Sequence, residues 1–199
     1  MAVISKTQGI SLLTLQELAS NTVVLSTAQD VSEKLGATIF IHFAVIDASG
    51  PLSDGVEFRI EASAKSSGND QWYPLQTFKT YTAAPEAEAV SGTVTSSTSI
   101  VPVASTTNFS AGDIVFFKNT TIGNSEWGRI KTVTANASIT LIDGLTNAQT
   151  GSTIYDLSEM YTSQIDLTSI GRIRLVADGS RTGKAVALEA WMITGDSIS

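Results

Sequence analysis

The chain has 199 residues, 42% of them hydrophobic and 16% charged, with a net charge of −7 and a pI near 4.6. That length suffices for one large or two small cored domains. The acidic balance excludes general binding to phosphate backbones, and no apolar run approaches the length of a membrane-spanning helix. With no cysteine there are no disulfide staples and no thiolate metal sites.

Residues 1–22 carry a helical signal: Thr14 and Glu17 have capping-box spacing, and Leu12, Leu13, Leu15 and Leu18 make an apolar stripe. A helix this short is unstable by itself, so the segment is expected to be an N-terminal arm, with the four leucines as candidate partner-binding residues. The segment has one lysine and no long apolar stretch, and does not read as a signal peptide.

From residue 38 the period changes to two. In TIFIHFAVID, Ile39, Ile41, Phe43 and Val45 alternate with Phe40, His42, Ala44 and Ile46, the two-sided apolar pattern of a central strand. In VEFRIEASAK, Val56, Phe58, Ile60, Ala62 and Ala64 point inward, and Glu57, Arg59, Glu61, Ser63 and Lys65 point to water. A slip of one residue would bury those charges, so the register is specified. SSGND at residues 66–70 is a turn. Pro74 in the next strand, QWYPLQTFKTY, calls for an edge or a bulge.

Residues 82–99 are small and polar and read as a connection. Short strands follow around Ile100–Val103, Ile114–Lys118, Glu126–Thr134, Ser138–Ile142 and Thr153–Asp156, separated by breaks rich in turn residues. Five strands at this spacing suit a small barrel. After it, Ile173, Leu175 and Ala177 alternate with Arg172, Arg174 and Val176, and Ala185–Thr194 is apolar on both faces, with Leu188, Trp191 and Met192.

The last strands have no core of their own. They are expected to complete a sheet pair begun at residues 38–80. The reading is an all-β chain: an antiparallel, jelly-roll-like β-sandwich formed by residues 23–91 and 158–199, an inserted small β-barrel at 92–157, and the arm at 1–22.

Catalytic chemistry finds few residues. His42 is the only histidine; it lies in the most apolar strand and reads as a buried, hydrogen-bonded side chain. Nucleophile–histidine systems and zinc sites are therefore poorly served. The carboxylate pairs Glu57/Glu61, Glu86/Glu88 and Asp54/Glu57 match a glycosidase pair by spacing alone, with a solvated surface as the plainer reading. Arg172 and Arg174 share a face that suits an anion or simply water. Trp72, Trp127 and Trp191 fall on three separate predicted strands and read as core anchors. No catalytic residue, cofactor or metal ligand is assigned.

Two stretches carry a resemblance. VSEKLGATIFIHFA with VEFRIEASAKSSGNDQWYPL is similar to a group of tailed-bacteriophage virion proteins. VASTTNFSAGDIVF and the SEWGRI strand resemble a small β-module that recurs in phage head and tail proteins. The resemblance implies a virion structural protein with no catalytic residues. It implies as partners the major capsid protein or other virion subunits, and copies of the chain itself. A capsid decoration (cement) protein is the leading expectation, a tail or baseplate component the second. A carbohydrate-binding or glycan-active host-attachment protein is the rival from another class.

Overall fold

β-Branched and aromatic residues in period-two order favour the pleated, half-buried surface of a strand, and most of the chain takes that form. The computed structural model describes residues 9–68 and 71–196. Its strands in chain order are β1 (Ile10–Leu18), β2 (Val23–Leu25), β3 (Gln29–Asp30), β4 (Lys34–Val45), β5 (Glu57–Ser63), β6 (Tyr73–Lys79), β7 (Ala87–Ala89), β8 (Thr93–Val94), β9 (Ile100–Pro102), β10 (Ile114–Lys118), β11 (Glu126–Thr134), β12 (Ser138–Leu141), β13 (Gln149–Thr150), β14 (Thr153–Tyr155), β15 (Ser158–Asp166), β16 (Arg172–Asp178) and β17 (Val186–Asp196). A 3-10 turn spans Ile122–Asn124, and no α-helix occurs among the described residues.

One sheet has the order β1-β17-β4-β15; the other runs β2-β16-β5-β6, with β3 also paired to β16. Numbered along the chain as eight principal strands, these sheets read 1-8-3-6 and 2-7-4-5. That is the order produced by winding a long antiparallel ribbon, paired 1-8, 2-7, 3-6 and 4-5, into two facing sheets: a jelly roll. Its core comes from the inward residues of both sheets, among them Ile39, Ile41, Phe43, Phe58, Ile60, Leu175 and Leu188, each less than 2% exposed. Pro74 sits on the edge strand β6, and the pairing with β5 shifts register beside it. Both expectations for this proline therefore hold, because an edge with a bulge tolerates its missing N–H. Ala64 departs from its expected inward position: β5 ends at Ser63, and Ala64 is exposed. The turn expected at residues 66–70 ends on Asn69 and Asp70, which lie outside the described residues.

Between β6 and β15 the chain builds a third sheet, ordered β7-β14-β10-β11-β12-β9. A bridge between Val90 and Val103 links its two ends, with Ser91 N–H donating to the Pro102 carbonyl at 2.9 Å. Inside lies a separate core containing Val101, Val115, Phe117, Ile130, Ile139 and Ile154. This sheet begins at Ala87 in β7, earlier than residue 92, because the polar connection expected at 82–99 contains two short strands, β7 and β8. Entry and exit are clasped: Glu86 N–H donates to Asp156 Oδ1 at 2.7 Å, and Asp156 N–H donates to the Glu86 carbonyl at 3.2 Å. The Tyr81 hydroxyl donates to the Leu157 carbonyl beside them.

The N-terminal segment corrects the sequence reading. Residues 10–18 are strand, not helix, and pair with β17. Register shifts between Ser11 and Leu13, and again between Leu13 and Gln16, break strict alternation. Those bulges let the neighbours Leu12 and Leu13 both turn into the core, where each is buried together with Leu18. Pairing with a long apolar strand outweighs the local helical signal, which is weak in so short a segment.

Candidate functional site

On β4 the odd positions enter the core, so Phe40, His42 and Ala44, and Ile46 just past its end, lie on the outer side of the four-stranded sheet. β17 places Trp191 opposite Phe40, Glu189 opposite His42 and Ala187 opposite Ala44. The barrel packs on one end of this face. Ala44, Ile46 and Ala187 form a buried cluster with the barrel residues Phe116 and Tyr155, flanked by Leu15, Ile122 and Trp127.

His42 stands at the edge of that cluster, half-buried with 18% of its side chain exposed. Its Nδ1 lies 3.0 Å from Glu189 Oε1, and its ring is flanked by Trp127 at 5.0 Å and Trp191 at 4.9 Å. Phe40 stacks on Trp191 at 5.6 Å. The hydrogen bond expected of His42 is present, but on the outer face and not within the sandwich core. Trp127 Nε1 and Ser158 Oγ are buried without a protein partner. Ser158 pairs with Ala44 on the same outer face.

The outer face of the second sheet is charged, and its charges are paired. Arg59 reaches Glu57 at 2.8 Å, Asp178 at 3.3 Å and Glu61 at 3.5 Å; Arg174 reaches Glu61 at 2.6 Å. The Glu57 hydrogen bond, with that of Asp178, raises the Arg59 pKa above its ordinary value. Hydrogen bonds from Ser180 lower that of Asp178, with Arg59 helping. Glu57 and Glu61 are thus both engaged by guanidinium groups and do not face each other across an open cleft. Asp54, beside Glu57 in sequence, binds Lys79 at 3.0 Å. Glu86 serves the clasp through its backbone, and Glu88 lies on β7, opposite Ile154.

Trp72 is not a core anchor: it lies half-buried just before β6, with Arg174 at 4.3 Å and Arg172 at 5.5 Å from its ring centre. Trp127 and Trp191 are also only half-buried and serve the junction. The four leucines proposed for partner binding are brought together differently from expectation. Leu12, Leu13 and Leu18 are in the sandwich core, and Leu15 packs against the junction cluster. They do not form a free stripe. Among the described residues, no group of three His, Asp or Glu converges to hold a metal ion. The junction, the feature that most orders this surface, was missed in the sequence; its one signal was the apolar character of both faces of residues 39–46.

No family model matches the chain, and no curated protein matches it. Solved structures give weak likenesses. One is the SPBc2 prophage-derived protein YomS, at 9% identity and a TM-score of 0.34, covering 98% of this chain and 97% of that one. Another is the K3 cleaved adhesin domain of Lys-gingipain from Porphyromonas gingivalis W83, at 14% identity and 0.34, covering 86% and 63%. A third is an infectious bursal disease virus Gx strain structure, at 9% identity and 0.24, covering 99% and 83%. Prophage and viral proteins are thus among the weak neighbours, and scores this low carry no argument about function.

Proposed function

We propose that this protein is a non-catalytic virion component that decorates a phage capsid and stabilises the shell by binding across neighbouring subunits. The observation that supports this best is the buried cluster of Ala44, Ile46, Phe116, Tyr155 and Ala187, which fixes the barrel on the outer face of the four-stranded sheet. A protein that bridges two neighbours gains most when its two surfaces are held at one geometry, because the second contact then forms at high effective concentration. Two β-units with separate cores and a shared buried seam supply that rigidity. Binding only to the assembled shell stabilises it by mass action. The resemblance of the VASTTNFSAGDIVF and SEWGRI stretches to phage modules points to the same setting.

The test is a particle map together with thermal release of packaged DNA from particles made with and without this protein. Density over the seams between capsomers, and release at lower temperature without it, are expected. Density confined to the tail would replace this reading with a tail or baseplate role, and absence from purified particles would overturn both.

A further inference from the structure

The jelly roll leaves four edge strands, β1 and β15 in one sheet, β2 and β6 in the other. Three are blunted in ways that discourage pairing with another chain. β1 carries two register shifts, β2 is three residues long, and β6 has Pro74, a register shift and Lys79. β15 has none of these. All nine of its residues, SEMYTSQID, pair with β4 in unbroken register, and its charges, Glu159 and Asp166, lie towards its two ends.

The free hydrogen-bonding groups of β15 can be located. Leu167 N–H donates to the Leu35 carbonyl at 3.0 Å. By antiparallel alternation the odd-numbered residues of β15 therefore bond β4, and Met160, Thr162 and Gln164 turn their N–H and C=O outward. Gln76 Nε2, which donates to the Gln164 carbonyl from β6 at 3.2 Å, agrees with that direction. Met160 is 46% exposed. On the inner side an apolar groove of about 290 Å³ opens between β15 and β6, with Phe78 and Tyr161 at 5.2 Å in its wall.

We infer that β15 is a dimerisation edge, pairing antiparallel with β15 of a second copy about a two-fold axis at Thr162. The sequence of the strand is compatible with itself in this register. Thr162 faces its own mate, Met160 faces Gln164, Tyr161 faces Ser163, Glu159 faces Ile165 and Ser158 faces Asp166. No like charges stand opposite each other, and the Thr–Thr pair is a favourable cross-strand contact. Thr162 and the Met160–Gln164 pairs meet as hydrogen-bonded pairs, each exchanging both backbone bonds, with the Gln164 carbonyl passing from Gln76 Nε2 to the Met160 N–H of the second copy. Met160 is covered on the outer face, and the two Phe78/Tyr161 grooves meet across the axis on the inner one. A two-fold, self-complementary contact of this kind makes one continuous sheet through both copies. It does not depend on the virion reading, since it is a property of the isolated chain.

The purified wild-type protein is expected to be dimeric in sedimentation equilibrium. Thr162→Pro removes an N–H that bonds nothing within the subunit, so at concentrations too low for dimerisation its melting should match that of the wild type. It should weaken the dimer at least about tenfold through the two bonds lost at the axis. Thr162→Cys adds a second readout that survives any folding defect of the proline variant. Opposed Cα atoms about 5.5 Å apart suit a disulfide, so oxidation should link pairs of chains, while Ala111→Cys on the barrel should not link. A wild-type chain that stays monomeric up to about 0.1 mM, where ordinary specific contacts are saturated, overturns the inference. So does a dimer that neither responds to Thr162→Pro nor cross-links through Thr162→Cys; a partner's strand added to β15 would appear as the first of these results.

Discussion

Four aspartates share one local device. Asp30, Asp47, Asp166 and Asp178 each bind the backbone N–H of the Ser or Thr two residues on, at 3.0, 2.9, 2.9 and 3.0 Å. This is the Asx-turn geometry that D-x-S/T sequences favour. Hydrogen bonds from that same Ser or Thr lower each pKa below the ordinary 3.8, the backbone N–H leading for Asp30 and the side-chain hydroxyl, with the N–H second, for Asp47, Asp166 and Asp178. The folded state therefore binds fewer protons than the unfolded one, so their stabilisation is complete above 3.8 and is lost as the pH falls through the lowered values. Asp156 runs the other way: burial raises its pKa, so its ionisation opposes folding, and the cost disappears as the pH falls through the raised value. Urea midpoints are expected to rise slightly on acidification from neutrality and then to fall once the pH passes below 3.8. Asp156→Asn should remove the rise while its carbonyl still accepts from Glu86 N–H. At the same scale, Gly128 in the SEWGRI stretch allows Phe117 and Leu141 to close over β11. A Cβ there would lie 2.9 Å from Phe117 Cε2 and 3.2 Å from Leu141 Cδ2. Gly128→Val should cost about 1–3 kcal/mol in chemical unfolding through overpacking.

Among the elements, β1 behaves least like its sequence. Leu18 is 1% exposed, so Leu18→Ala should destabilise by about 2–5 kcal/mol in the range of buried leucine truncations. The same change in a free arm would alter stability by a few tenths at most. Deleting residues 1–22 is expected to abolish cooperative melting, since it removes β1, an edge of the four-stranded sheet, with the core residues Leu12, Leu13 and Leu18, and uncovers β17. A truncated chain that melted at the wild-type temperature would restore the arm. The β4 and β5 patterns fared better because their alternation already encodes which face is buried. Even there, His42 and Phe40 could not be assigned from alternation alone, since a strand apolar on both faces fits either a second sheet or a docked domain on its outer side.

For the molecule as a whole, the clasp between Glu86 and Asp156 brings the two ends of the barrel segment side by side. Excising residues 86–156 and joining the ends with a short Gly/Ser linker should leave a cooperatively folding jelly roll with a lowered melting temperature, because Ala44, Ile46 and Ala187 become exposed. Loss of all cooperative unfolding would mean that barrel and sandwich form one folding unit.

The all-β class, the strands at Ile114–Lys118 and Glu126–Thr134 and the need for an edge or a bulge at Pro74 were determined by sequence alone, because period-two burial, turn residues and a missing N–H act within a few residues. The strand state of Ile10–Leu18, the place of His42 between two tryptophans and the winding order 1-8-3-6 and 2-7-4-5 were decided only by the tertiary structure. Each depends on which distant segment supplies the neighbouring strand or the covering surface. That choice is made by the summed burial and hydrogen bonding of pairs far apart in the chain, which no local window contains.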